Sequence, residues 1–193
     1  MKKIYLLGLL FASMSMVSCG GEGDGESTDG DSTTTELTFE DMNEISLKEH
    51  GLNMCIMLPE VASSTGAAIE PQVEHDEGDY LWDVKIGSRF HLIIEDFGKE
   101  KDKVANEKKR LKDLEKIFAI EYITDDPKLI MYKRTLHEGQ GGKPSYHCYG
   151  ETVIDGYTYI LRSQEDGSLK PIIEDMEKTI QSAKECTGGG DPA

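Results

Sequence analysis

The chain has 193 residues, with 37 Asp and Glu against 21 Lys and Arg, a formal net charge of −16, and 37% hydrophobic residues. That length fits one domain of ordinary size plus flanking segments and excludes a large multidomain enzyme. The negative balance argues against nucleic acid as a partner, because phosphate backbones are held by a basic footprint.

The N-terminus reads as an export signal. Lys2 and Lys3 form a positive n-region, and Ile4 to Ala12 is an apolar run too short for the roughly 20 residues that span a bilayer. Small residues then lead to Met16-Val17-Ser18-Cys19. This ending resembles a bacterial lipobox. The resemblance implies a cut before Cys19, which removes residues 1–18 as a signal peptide. Cys19 would then carry a thioether diacylglycerol and an amide-linked acyl chain. Three fatty chains make a lasting anchor, at about 0.8 kcal/mol per buried CH₂. The expected location is therefore the outer membrane, on its periplasmic face or at the cell surface.

Residues 19–36 continue as a tether. From Gly20 to Glu36 there are five Gly, six acids and a Ser/Thr cluster, with no base and no large apolar residue. Such a stretch buries too little surface to offset its chain entropy, so disorder is expected. Acids this close to the lipidated Cys resemble the signal that sends some Gram-negative lipoproteins to the cell surface. Removing Lys2, Lys3 and the six tether acids takes the net charge from −16 to −12 for residues 37–193, so the remainder is still acidic.

A single globular domain is expected over residues 37–186, with a flexible tail at 187–193. Leu52, Met54, Ile56 and Leu58 alternate with Asn53, Cys55 and Met57 and stop at Pro59, a half-buried strand. Trp82 to Ile86 and Phe90 to Ile94 alternate likewise across Gly87-Ser88, which reads as a hairpin. From Lys99 to Phe118 the period changes, with Val104, Leu111, Leu114 and Phe118 on one helical stripe. Strands are expected at Ile120 to Thr124 and Leu129 to Leu136, followed by a Gly-rich loop from Gly139 to Pro144. Tyr146 to Ile154 and Tyr157 to Leu161 flank Asp155-Gly156, a strong hairpin signal. A final amphipathic helix carries Leu169, Ile172, Ile173, Met176, Ile180 and Ala183, with Pro171 in its first turn.

The fold class expected is α+β, an antiparallel β-sheet with two main helices packed on it. The order of these elements, from the strand ending in Leu58-Pro59 to the last helix, resembles the PsbP/DcrB-like α/β/α sandwich family. That family includes thylakoid-lumen subunits and bacterial envelope lipoproteins, and the resemblance implies a binding or assembly role rather than an enzyme. A cystatin-like sheet with one helix is the alternative fold.

Chemistry-bearing residues are few. In an oxidising compartment Cys55, Cys148 and Cys186 allow one disulfide with three possible pairings. None of His50, His75, His91, His137 and His147 has the spacing of a helical metal pair. His137 and His147 flank the Gly-rich loop and are the one metal candidate, with Cys148 beside them. Gly139-Gln140-Gly141-Gly142-Lys143-Pro144 lacks Walker spacing, no Cys-x-x-Cys or Gly-x-Ser-x-Gly occurs, and no cofactor is implied. The stretch from Lys99 to Lys116 carries eight bases and five acids, a basic face suited to an acidic partner or lipid phosphates.

The function expected is thus a lipid-anchored cell-envelope protein with a non-catalytic binding or assembly role. Its partners would be the membrane, through the Cys19 lipid, and an envelope protein. A small-molecule or metal carrier is the alternative and would need a concave pocket near His137, His147 and Tyr149. An envelope hydrolase is a further one.

Overall fold

The computed structural model describes residues 38–60, 70–137 and 141–187. The expected signal peptide, Cys19 and tether lie outside the described residues, as do residues 139 and 140 of the Gly-rich loop and 188–193 of the expected tail.

Among the described residues, ten strands and two α-helices follow one another. They are β1 Met42–Ser46, β2 Met54–Pro59, β3 Gln72–Glu74, β4 Leu81–Ile86, β5 Phe90–Asp96, α1 Lys103–Leu114, β6 Phe118–Asp125, β7 Leu129–Leu136, β8 Ser145–Ile154, β9 Tyr157–Ser163, α2 Lys170–Ser182 and β10 Lys184–Glu185. A seven-stranded sheet has the order β3-β4-β5-β9-β8-β7-β6, and a smaller sheet has the order β1-β2-β10. All pairings are antiparallel. The α+β class with an antiparallel sheet and two helices is therefore what this chain adopts.

The period of each strand records what covers it. On β4 and β5, Trp82, Val84, Ile86, Phe90, Leu92 and Ile94 are buried while Asp83, Lys85 and His91 stay partly exposed, so only one face is covered there. On β7, Leu129, Ile130, Met131 and Tyr132 are all buried in succession, which requires cover on both faces. One face is met by α2, whose Ile173, Met176 and Ile180 join Leu129, Met131, Cys148 and Leu161 and the β2 residues Met54, Ile56 and Leu58 in the main core. On the other face, Val104 and Leu111 of α1 pack on Ile130 and Tyr132, flanked by Ile120, Tyr122 and Tyr149. The first helix thus roofs only the β6-β7-β8 half of its face and leaves a polar floor over β9, β5 and β4.

Two close approaches set the helices. At Gly150 a Cβ would stand 2.3 Å from Ile180 Cγ2, so only glycine lets α2 lie this close to β8. The N-terminus of α1 is capped from β8: Glu151 Oε2 accepts from the backbone N–H of Lys103 at 2.7 Å and of Val104 at 3.4 Å. Its other oxygen accepts from Lys128 Nζ at 2.6 Å.

The Asp155-Gly156 turn has φ of 53° and 79°, the pair of positive values that a type I′ turn needs. The expected helix through Phe118 ends instead at Leu114, and Phe118 opens β6. Three short strands, β1, β3 and β10, carry too few residues for a readable alternation. Of the three pairings open to the cysteines, the structure has Cys55 on β2 bonded to Cys186 beyond β10, with Cys148 a buried free thiol.

Candidate functional site

Where the roof of α1 stops, a polar pocket of about 180 Å³ opens between the helix and the strands β7, β8 and β9. The register explains its walls. Tyr132 stands opposite His147, Arg134 opposite Ser145, and Tyr149 opposite Arg162, all on the face that α1 covers. Arg110, next to the buried Leu111, reaches in from the helix. Three of the four arginines of the chain thus line one pocket.

Each guanidinium is held differently. Arg110 donates from Nε at 2.7 Å and from Nη2 at 2.6 Å to the two oxygens of Glu107, itself 8% exposed. Arg162 donates from Nε to Glu95 Oε1 at 3.2 Å and forms an ion pair with it. Arg134 donates to the Glu165 carbonyl at 2.8 Å, lies over the Phe118 ring, and joins no ion pair among the described residues.

His147 forms the back wall. It is 3% exposed, stacks on Tyr132 with ring centroids 4.9 Å apart, and has Nε2 2.9 Å from Ser145 Oγ. Burial pushes its pKa down to about 4, helped by the positive charges of Arg134 and Arg110 and opposed by the Gln164 carbonyl. Neutral imidazole accepts at Nε2, so the Ser145 hydroxyl donates. The chain after β9 closes the wall: Gly167, with φ of 71°, sits where a Cβ would be 2.6 Å from His147 Cε1. Burial also raises the phenols of Tyr132 and Tyr149, with the Glu107 carboxylate adding to the effect, so both remain hydroxyl donors.

Ser145 and His147 stand at nucleophile–base distance. An imidazole whose proton leaves near pH 4 is a weak base, more than a hundredfold below one titrating near 6.5, and takes a hydroxyl proton poorly. Cys148 faces the opposite side of the sheet within the main core. Burial pushes its thiol up to about 12, so it keeps its proton and lacks the thiolate a nucleophile needs. Of the other lining groups, the guanidiniums, the phenols and the amide of Gln164 can donate, and the Glu107 and Glu165 carboxylates accept.

The structure separates the two histidines that flank the Gly-rich loop. His137 lies beyond the β7 end, exposed, with Nε2 2.8 Å from the Glu115 carbonyl, whereas His147 stands opposite Tyr132. Among the described residues no three His, Cys, Asp or Glu side chains gather to hold a metal ion. His147 and Tyr149 do line a concave pocket, and His137 does not. The basic stretch divides: Lys103 pairs with Glu100, Lys108 with Asp125, and Arg110 turns to the pocket through Glu107.

Arg134 and Arg162 escaped the sequence reading. The signal available was their parity. Each stands two places after a buried residue, Tyr132 and Ile160, on the same face of its strand, where an apolar side chain would continue the pattern. A second, more open concavity of about 410 Å³ lies beside Lys128, Glu151 and Ile180, but the Glu151 carboxylate is committed to Lys128 and to the end of α1. Among the described residues no helix is long and apolar enough to cross a membrane. Compared with known protein families and with curated proteins, the chain matches no family model and no individual relative.

Proposed function

We propose that this chain is a lipid-anchored cell-envelope protein with a non-catalytic binding role, held at the outer membrane through acylated Cys19. Its α+β domain binds a small polar molecule in the pocket between α1 and strands β7, β8 and β9. The anchor rests on the lipobox resemblance of Met16 to Cys19. The binding role rests on one observation: a concave, polar pocket that gathers three arginines, two tyrosines and His147 in an otherwise acidic chain. The chemistry of those groups supports binding over turnover, since the Ser145–His147 pair has a weak base and the buried thiol is protonated. We further infer a PsbP/DcrB-like sandwich for the domain, a reading supported by helices on opposite faces of the larger sheet.

Two measurements test the reading. Mass spectrometry of the mature N-terminus should find Cys19 carrying three acyl chains, and an unacylated N-terminus would remove the anchor. Screening a library of small polar molecules by heteronuclear NMR should give ligands that shift His147 and Tyr149. Hits that map only elsewhere would remove the pocket as the binding site.

A further inference from the structure

We infer that the pocket is an oxyanion site that takes a phosphate group, either free or as the exposed headgroup of a lipid. This deepens the binding role proposed above and rests on that reading.

Charge and geometry carry it. Glu107 and Glu95 neutralise Arg110 and Arg162, and Glu165 also lines the pocket but is exposed, so solvent screens its carboxylate. Arg134 remains without an ion-pair partner among the described residues, half-buried at the wall. A guanidinium that lacks a carboxylate in a partly desolvated site favours an anion there. Each of the three also keeps unused N–H groups. Of five donors, Arg110 spends two on Glu107, Arg162 spends two on Glu95 and one on the Ser163 carbonyl, and Arg134 spends one on the Glu165 carbonyl.

The direction of approach selects the ligand's shape. Arg134 and Arg162 rise from strands on either side of β8, opposite Ser145 and Tyr149, so their backbones stand roughly 16 Å apart and the two side chains reach the pocket from its two ends. Arg110 comes down from the helix above. A carboxylate offers two oxygens in one plane and is satisfied by one bidentate guanidinium. Three guanidiniums brought to one pocket from three elements suit a group with three terminal oxygens in a tetrahedral array. The Tyr132 and Tyr149 hydroxyls add neutral donors. A volume of about 180 Å³, about six waters' worth, holds a phosphate and its first linking atoms but not an acyl chain. The tail of any lipid would stay outside.

The test uses the full-length chain purified in detergent, titrated with inorganic phosphate, glycerol 3-phosphate and dihexanoyl phosphatidic acid, with affinity read by calorimetry and location by the His147 imidazole resonances. Phosphate-bearing probes should bind and shift His147. Arg134→Gln should weaken binding at least about tenfold, while Arg89→Gln, away from the pocket, should change it less than about twofold. Arg110→Gln gives a second reading if Arg134→Gln unfolds. Phosphatidic acid binding about tenfold or more tighter than inorganic phosphate would assign the site to a lipid headgroup, and equal or weaker binding to free phosphate. Absence of binding by all three probes, or binding unaffected by both pocket variants, overturns the proposal. Shifts of His147 and Tyr149 by neutral or cationic molecules, with none from phosphate, overturn the oxyanion assignment and leave the small-molecule pocket standing.

Discussion

Between pH 7 and pH 4 the His147 imidazole should remove about 3 kcal/mol from the stability of this domain. In the unfolded chain a histidine titrates near 6.5, while in the fold burial beside Arg134 and Arg110 pushes His147 down to about 4. Inside that window the unfolded state binds the extra proton, so stability rises with pH and is lost as pH falls below 6.5. Each pH unit is worth up to about 1.4 kcal/mol, and the loss levels off below pH 4, where both states are protonated. His147→Gln removes the titration and keeps a side-chain oxygen to accept from Ser145. Urea unfolding of both proteins at pH 7, 6, 5 and 4 isolates the effect, because the carboxylates common to both cancel in the difference. The stability advantage of the native protein over the variant should shrink by about 3 kcal/mol across that range. Parallel curves, or an imidazole that titrates near 6.5 by NMR, would refute the reasoning. They would also restore a competent base beside Ser145 and with it the hydrolase.

Other perturbations read different parts of the fold. Cys55→Ser opens a cross-link spanning 131 residues, which loop-closure entropy values at about 5 kcal/mol; urea unfolding should register most of that, and reductant should destabilise the native protein equally while leaving the variant unchanged. Gly150→Ala, driving a Cβ to 2.3 Å from Ile180 Cγ2, should cost about 1–3 kcal/mol, with a smaller penalty when measured in an Ile180→Ala background. Glu151→Gln should cost about 1–3 kcal/mol at neutral pH. Burial disfavours the Glu151 charge, but Lys128 and the N–H groups of Lys103 and Val104 outweigh it and hold the carboxyl below its ordinary range. Its stabilisation is therefore present above that range and lost as pH falls, so the penalty of the variant should fade in acid.

Long, strongly patterned elements were legible in the sequence. Leu129 to Leu136 runs as a strand because its continuous apolar start needs two covered faces, and the Asp155-Gly156 turn follows from backbone sterics alone. Phe118 misled because it lies fourteen residues, close to four helical turns, from Val104 and so keeps the phase of a helix that ends four residues earlier. The candidate site was legible only as isolated residues. His147 and Tyr149 drew notice beside the Gly-rich loop, but sequence proximity paired His147 with His137. The register of β7 against β8 gives it Tyr132 instead. The arginines at 110, 134 and 162 come from a helix and two strands whose neighbour is the intervening β8, and that adjacency is a long-range choice of strand order that no local pattern encodes.

The disulfide has a mechanical side. It encloses residues 55–186, which include α1, α2 and the whole seven-stranded sheet, and leaves β1 outside the loop. A pull along the N-terminal segment enters the domain at β1, whose five pairs with β2 can unzip one at a time. Paying out residues 38–46 in this way lengthens the chain by roughly 30 Å. For a pull between the two ends of the chain, the tension that reaches Cys55 passes through sulfur to Cys186 and bypasses everything between. Such a pull is met by a short extensible leader while the strands that line the pocket lie outside the load path.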